Sequence, residues 1–449
     1  MRYYDKRTCT VGFCVRERDE GLMREATAAR NAALAESQPA REANIAAIAA
    51  HLRAGAKREC RQVGIELEHI CVDGTGDPIT YSQPNGVRDV LITLQKKYPQ
   101  VTVHDNDLLG VARPGAAVTI EPAAQLELSA GPFEKLIDAK RVFLEFEDDA
   151  REALEPIGGK ALTLGFDPVN RAADKELIPK ARYDYMNEYL SSIGPWGPRM
   201  MRGSASTQVS IDYLDEADCI AKMRVAQVLT PLFALMCDNS PVFEGSRRPH
   251  PLMRTEIWKY CDPDRCNAVP GMFDEGFGFA DYAAYLLDVP AIVALDDDGE
   301  ARYDTRTFGE IFANRVMADE EVFHAMSMVF PDVRLKSYVE IRPADSMPIP
   351  YVLAYAALIK GLFYGKGSLA SLVQSCQGIT EADVAAAKEA LMEKGYDAEV
   401  YQRSAGEMCD ELIGLARRGL PAVEWTFLDP LAELVARRVT LADLDISTR

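Results

Sequence analysis

Histidine is scarce, at five in 449 residues, and none stands in a local pattern that supports a Ser-His-Asp or Cys-His nucleophile. Cys-x-x-Cys pairs are missing. The closest cysteine spacings are Cys9/Cys14 and Cys261/Cys266, and with so few histidines they do not make a structural zinc site. Ten cysteines in so long a chain are no disulfide framework either. The N-terminal run MRYYDKRTCTVGFCVRERDEGL has no apolar core of signal-peptide length and too many acids for a transit peptide. Long hydrophobic runs are also wanting: the longest, Tyr351 to Tyr364, is interrupted by Lys360 and is too short to span a bilayer. These absences lead to the expectation of a soluble protein in a reducing cytoplasm.

Basic residues are in deficit, 50 Lys plus Arg against 69 Asp plus Glu, for a formal charge of −19. So acidic a surface repels nucleic acid and anionic lipid, and neither is an expected partner. An anionic substrate would need a local basic pocket to overcome that field. A P-loop is absent too. The nearest run, Gly361-Leu-Phe-Tyr-Gly-Lys-Gly367, has the wrong glycine spacing and no Ser or Thr after Lys366, so it reads as a helix end. In Asp296-Asp-Asp-Gly299 the glycine comes too early for an EF-hand, which leaves a solvated turn.

What is present is ordinary globular composition, 48% hydrophobic and 27% charged. Length alone allows two or three domains. Residues 22–57 predict two helices broken near Pro39, the second carrying Ile45, Ile48 and Leu52 at helical spacing. Alternating segments at 63–72, 118–129, 160–166, 205–213 and 333–342 predict strands. Helical stretches fall at 86–98, 133–155, 216–238, 280–288 and 348–364. The tail from Thr380 to about Arg438 is expected to be helical, with Glu381, Asp383 and Lys388 on exposed faces and breaks at Pro421 and Pro430. The order is too irregular for a doubly wound parallel sheet. It predicts an α+β fold around an antiparallel sheet: an N-terminal helical extension (1–60), a core (61–365), and a C-terminal helical region (366–449) packed on the same domain.

The strands carry chemistry on one face. Side chains alternate along a strand, so Glu66 and Glu68 share one side and Ile65 and Leu67 the other. Likewise Gln125, Glu127 and Ser129 oppose Leu126 and Leu128, and Ser206, Gln208, Ser210 and Asp212 oppose Val209, Ile211 and Tyr213. In 333–342, Arg334, Lys336, Tyr338, Glu340 and Arg342 line one side, with Val333, Leu335, Val339 and Ile341 behind. One polar strand face is ordinary surface. Four on one sheet build an acidic bed with a cationic rim. Crowded carboxylates repel unless a cation sits among them, and Mg²⁺ takes oxygen ligands of this kind. The cationic rim suits phosphates and carboxylates. Together they describe an ATP·Mg²⁺ site without a P-loop.

Seven segments, GIELEH (64–69), EPAAQLELS (121–129), MMRGSASTQVSIDY (200–213), DNSPVFEG (238–245), MRTEIW (253–258), DEGFGFADYAAYLLDVP (274–290) and FPDVRLKSYVEIRPAD (330–345), resemble in order the glutamate–cysteine ligases of the plant and proteobacterial type. The resemblance implies a glutamine-synthetase-like catalytic sheet and ATP-dependent ligation of the glutamate γ-carboxylate to the amine of cysteine, with Mg²⁺. Carried over position by position, it puts Glu66, Glu68, Glu127 and Glu340 among the metal ligands, with Glu121 as an addition and Gln208 facing the metals. By the same resemblance Arg254 and Arg342 hold the transferring phosphate, Arg334 and Lys336 face the nucleotide phosphates, and Trp258 borders the glutamate pocket. A monomer or homodimer is expected. The plant regulatory disulfide has no matching cysteine pair here and is not carried over. Three alternatives remain: a ligase joining glutamate to another amine, a guanidino phosphotransferase, and a nucleotide-binding regulator without catalysis.

Overall fold

The computed structural model describes residues 39–296 and 299–444. Nine strands make one sheet: β1 (Val63–Val72), β2 (Gln100–His104), β3 (Asp107–Arg113), β4 (Ala116–Ile120), β5 (Leu126–Phe133), β6 (Lys160–Leu162), β7 (Ser206–Ile211), β8 (Val333–Leu335) and β9 (Val339–Asp345). Their order is β8-β9-β7-β1-β5-β4-β3-β2, and β6 pairs with the end of β1. Every neighbouring pair is antiparallel. The expected α+β architecture is therefore what the chain adopts.

Alternation decides which face is dry. Ile65, Leu67, Val209, Ile211, Val339 and Ile341 are at most 1% exposed, so one face of the central strands is fully covered. Burying each such side chain contributes about 1.5–3 kcal/mol. The cover is helical: Glu216–Met236 packs on β9, Ile349–Tyr364 on β7 and β1, and Leu136–Leu154 on β5. Glu216–Met236 is long and apolar enough to cross a membrane by composition alone, but it is almost wholly buried inside the protein. In Ile349–Tyr364 even Lys360 is buried, because its ammonium meets Glu424 Oε2 at 2.7 Å and the Glu134 carbonyl at 2.5 Å. The glycine run at its end serves close packing. A Cβ on Gly361 would collide with the Ala416 carbonyl of a C-terminal helix. One hydrophobic cluster runs from Ile48 in the helix at 39–54 to Leu441, joining both ends of the described chain to the sheet.

Several expected elements differ in detail. The segment 118–129 is two strands, β4 and β5, because the chain turns at Glu121–Gln125, where Glu121 N–H donates to the Gln125 carbonyl and Ala124 takes φ +62°. The segment 333–342 is a hairpin, not a strand: Val333, Arg334 and Leu335 pair with Ile341, Glu340 and Val339. Lys388 is not on an exposed face. It is 6% exposed, since Asp332 Oδ2 draws its ammonium inward to 2.6 Å. Glu381 and Asp383 are exposed as expected. Pro421 follows the end of Ala405–Gly419, whereas Pro430 begins the helix Asp429–Arg437 rather than breaking one, as its fixed φ allows in a first turn. The predicted helix before Pro39, with Cys9 and Cys14, lies outside the described residues, as does part of Asp296–Gly299. The other eight cysteines are free thiols.

Candidate active site

Register brings the polar faces together. Residues directly opposite in an antiparallel pair share a face, and Glu66 lies opposite Ser129 on β5 and Gln208 on β7, while Glu68 lies opposite Glu127. Glu66, Glu68, Glu121, Glu127, Gln208, Arg254, Trp258, Arg334, Lys336 and Arg342 line one cavity of about 300 Å³. Glu340 stands directly behind the cations. A larger groove of about 1050 Å³ beside Leu136–Leu154 and Ile349–Tyr364 has a mostly apolar floor and holds none of these residues.

The acidic half is held from beneath. Glu68 accepts from Ser206 N–H at 2.8 Å, Ser206 Oγ–H at 2.7 Å and Gln208 Nε2 at 3.3 Å. Glu127 accepts from Ser129 Oγ–H at 2.9 Å and Thr119 Oγ1–H at 3.2 Å. Shielding from water, then repulsion from Glu340 and Glu127, pushes the Glu66 carboxyl up to about 8. Glu68 is raised by desolvation and by Glu127, and Glu121 well above the carboxylate range by desolvation, Glu127 and Glu68. Such a set holds more negative charge than its surroundings neutralise. Its donors are all oxygens, the ligand type a hard divalent cation takes, although no three acids among the described residues are already drawn together as a ready-made metal cluster.

The cationic half centres on Glu340, which is fully buried. Arg334 Nε reaches its Oε2 at 2.7 Å, Arg342 Nη1 the same oxygen at 2.9 Å, and Lys336 Nζ its Oε1 at 3.2 Å. Against the burial, Arg334, Lys336 and Arg342 hold its carboxyl well below the usual range. Both oxygens thus face cations, and here Glu340 is their counter-ion rather than a member of the acidic bed. Gln208 joins the halves, accepting from Arg342 Nη1 at 2.5 Å while donating to Glu68. Arg254 Nη1 donates to the carbonyls of Arg342, Pro343 and Ala344 at 3.2–3.3 Å. The Trp258 ring lies 5.7 Å from the Arg254 guanidinium and 5.6 Å from that of Arg342, within cation–π range. Arg254 Nε and Trp258 Nε1 are buried donors with no partner among the described residues, a cost sustained where a ligand completes the bonding.

The same cavity is lined by residues not among the expected ligands: Lys180, Arg182 and Tyr183, which no strand face announces, and Ser206. Burial lowers the pKa of Lys180, and Arg182 beside it adds to that; Arg182 is anchored by Ser327 Oγ and the Ser327 carbonyl at 3.1 and 3.0 Å. Lys180 and Arg182 sit where a loop enters the helix Ala181–Ile193, outside any strand alternation that would mark a face. Ser206 had a signal, its place on the polar face of β7.

Acids on two inner strands and the turn between β4 and β5, facing cations on an edge hairpin, suit the activation of one anion by another, and the class so defined is that of a carboxylate–amine ligase. The chain belongs to the glutamate–cysteine ligase family: Glutamate-cysteine ligase family 2 (GCS2) matches residues 62–437. Among its relatives, the chloroplastic glutamate–cysteine ligase of Brassica juncea is 29% identical over 432 residues, covering 91% of this chain and 83% of the relative. That of Arabidopsis thaliana is 28% identical over 430 residues, covering 91% and 82%. A solved glutamate–cysteine ligase from Francisella tularensis, in complex with AMP, superposes with a TM-score of 0.52 at 12% identity over 85% of this chain and 83% of that one. That likeness concerns the fold.

Proposed function

We propose that this protein joins the γ-carboxylate of L-glutamate to the amine of L-cysteine, converting ATP to ADP and phosphate and yielding γ-glutamylcysteine. The observation that carries the reading is the meeting of a carboxylate bed and a cation row in one cavity, within the segment that matches the family. A free carboxylate acylates poorly because oxide would have to leave. Transfer of the ATP γ-phosphoryl group to a γ-carboxylate oxygen gives an acyl phosphate. The cysteine amine then attacks the carbonyl carbon of that acyl phosphate, the carbon–oxygen bond to phosphate breaks, and the amine gives up a proton.

Arg254 and Arg342 would hold the phosphoryl oxygens as they change geometry, an electrostatic contribution. Arg334 and Lys336 would face the remaining phosphates of the nucleotide, and Trp258 the glutamate. Glu66, Glu68, Glu121 and Glu127 would hold Mg²⁺, with Gln208 at the border of that set. When bound, the ion supplies neutralisation of phosphate charge. The free thiols of the described cysteines suit the reducing cytoplasm expected for the protein.

The test is product analysis. The protein is incubated with ATP, Mg²⁺ and glutamate while the amine is varied, and products are identified by mass spectrometry. The expected product with cysteine is γ-glutamylcysteine with equimolar ADP and phosphate. An amide with another amine but not cysteine would move the protein to a different ligase, and a phosphorylated guanidine would move it to a phosphotransferase. ATP binding without turnover would make it a regulator.

A further inference from the structure

The largely buried pair of Lys388 and Asp332 lies on the far side of the arginine–tryptophan stack. Lys388 belongs to the helix Glu381–Lys394 in the C-terminal region, and its ammonium contacts Asp332 Oδ2 at 2.6 Å and Asn267 Oδ1 at 3.4 Å. Gln227, from the helix Glu216–Met236, donates to the same Asp332 oxygen at 2.9 Å. The backbone of Asp332 is committed as well: its carbonyl accepts Arg342 N–H at 3.0 Å, and its N–H donates to the Asn267 carbonyl at 2.8 Å. A small void beside this pair is lined by Arg254, Trp258, Phe330, Asp332, Arg342 and Lys388. Asp332 therefore ties two helices, held by its largely buried carboxylate, to the part of β9 that carries Arg342, held by its carbonyl.

We propose that Lys388 is a positioning residue for the ligation: by neutralising Asp332 it keeps that carboxylate from drawing Arg254 and Arg342 back out of the cavity. Asp332 is one of the negative charges acting on Arg254. Without Lys388 its largely buried charge keeps a single neutral donor, and the guanidiniums that line the same void are those of Arg254 and Arg342. A charge stranded in this way seeks a new partner, because an unpaired buried ion is far more costly than a rearranged side chain. Each arginine would then meet the phosphoryl group from the wrong place, and a displacement of about 1 Å is enough to cost on the order of a hundredfold in rate. This inference rests on the ligase reading given above.

The test compares Lys388→Met, Lys388→Arg and the double variant Asp332→Asn/Lys388→Met in the full chain. Lys388→Met should lower kcat by about ten- to a hundredfold while KM for ATP and glutamate changes far less. Lys388→Arg should restore most of the loss. The double variant, which strands no charge, should be faster than Lys388→Met alone. Wild-type kcat in Lys388→Met, or a double variant as slow as the single, would overturn the proposal. A second measurement does not depend on turnover. The protein has three tryptophans, and Trp196→Phe/Trp425→Phe leaves Trp258 as sole reporter of the cations around it. In that background Lys388→Met should shift the emission maximum and the double variant should shift it back; an unchanged spectrum would overturn the proposal. If the unaltered protein forms no γ-glutamyl amide with any amine, the ligase reading fails, and the emission shift still decides where Lys388 holds the arginines.

Discussion

Arg334 and Glu340 stand directly opposite each other across the β8–β9 hairpin, with Nε 2.7 Å from Oε2. The loop between them spans Lys336, Ser337 and Tyr338, so Leu335 and Val339 pair and the two strands keep the same alternation. Arg334, Glu340 and Arg342 therefore reach one face although the chain has reversed between them. Glu340 can be fully buried because three cations surround it, and the cations can be close because Glu340 lies among them.

That mutual dependence makes Glu340→Gln costly. Three buried or half-buried cations would lose their shared counter-ion, and breaking such a set by removing one partner costs about 3–5 kcal/mol. The melting temperature should fall well below that of the parent and activity should be lost, and added Mg²⁺ should restore neither. Recovery of turnover at high Mg²⁺ would instead put Glu340 among the metal ligands.

Glu127→Gln should separate binding from folding in the opposite way. Glu127 lines the cavity and contributes little to the core, and its hydroxyl donors Thr119 and Ser129 can also donate to an amide oxygen. The fold should remain, with melting temperature close to the parent in chelator. Stabilisation of the parent by Mg²⁺ with a nonhydrolysable ATP analogue should shrink in the variant, and turnover should fall to background. Full activity at saturating Mg²⁺ would remove Glu127 from the metal set.

Much of this site was legible in the sequence because alternation by two fixes a face whatever the strand's exact limits. Glu66 with Glu68, and Arg334 with Glu340, were grouped correctly even though β4–β5 and β8–β9 are hairpins rather than single strands. An odd-numbered loop in the second preserves parity, so the error in topology did not move a side chain. Lys180 and Arg182 escaped because a loop entering a helix has no period to reveal its direction. Lys388 departs from the expected exposed face for a related reason. Its helix has charged residues all round, and only the tertiary position of Asp332 determines that this lysine, unlike Glu381, turns inward.

Acid should destabilise the protein through its buried histidines. His324 Nε2 lies 2.7 Å from the Val293 carbonyl, its ring meets Phe308, and the charged groups around it are Arg182 and Glu321. Burial lowers its pKa to about 4. A pKa depressed on folding means that the unfolded chain takes up the proton first. The stability it contributes is complete above the unfolded value of about 6.5 and is lost as pH falls through about 4. Urea midpoints between pH 7.5 and 4.5 should decline, and His324→Gln should show a shallower decline by up to one proton, or about 1.4 kcal/mol per pH unit at most. An identical pH slope in the variant would mean that His324 does not remain neutral in the folded protein.

Arg342 offers the sharpest distinction between chemistry and architecture. Its guanidinium serves Gln208 Oε1, Glu340 Oε2 and the Trp258 face at once, and no ammonium can reproduce that planar fork. Arg342→Lys keeps the charge beside Glu340, so most of the ion cluster should survive. If the guanidinium grips phosphoryl oxygens mainly as they move through the transition state, kcat should fall by about 10²–10³, with much smaller increases in KM for ATP and glutamate. If Arg342 serves only to hold β9 against β7 through Gln208, the variant should melt earlier yet turn over normally once folded. Measuring kcat, both KM values and the melting temperature on one preparation separates the two, and a normal kcat in a destabilised protein would end the catalytic assignment.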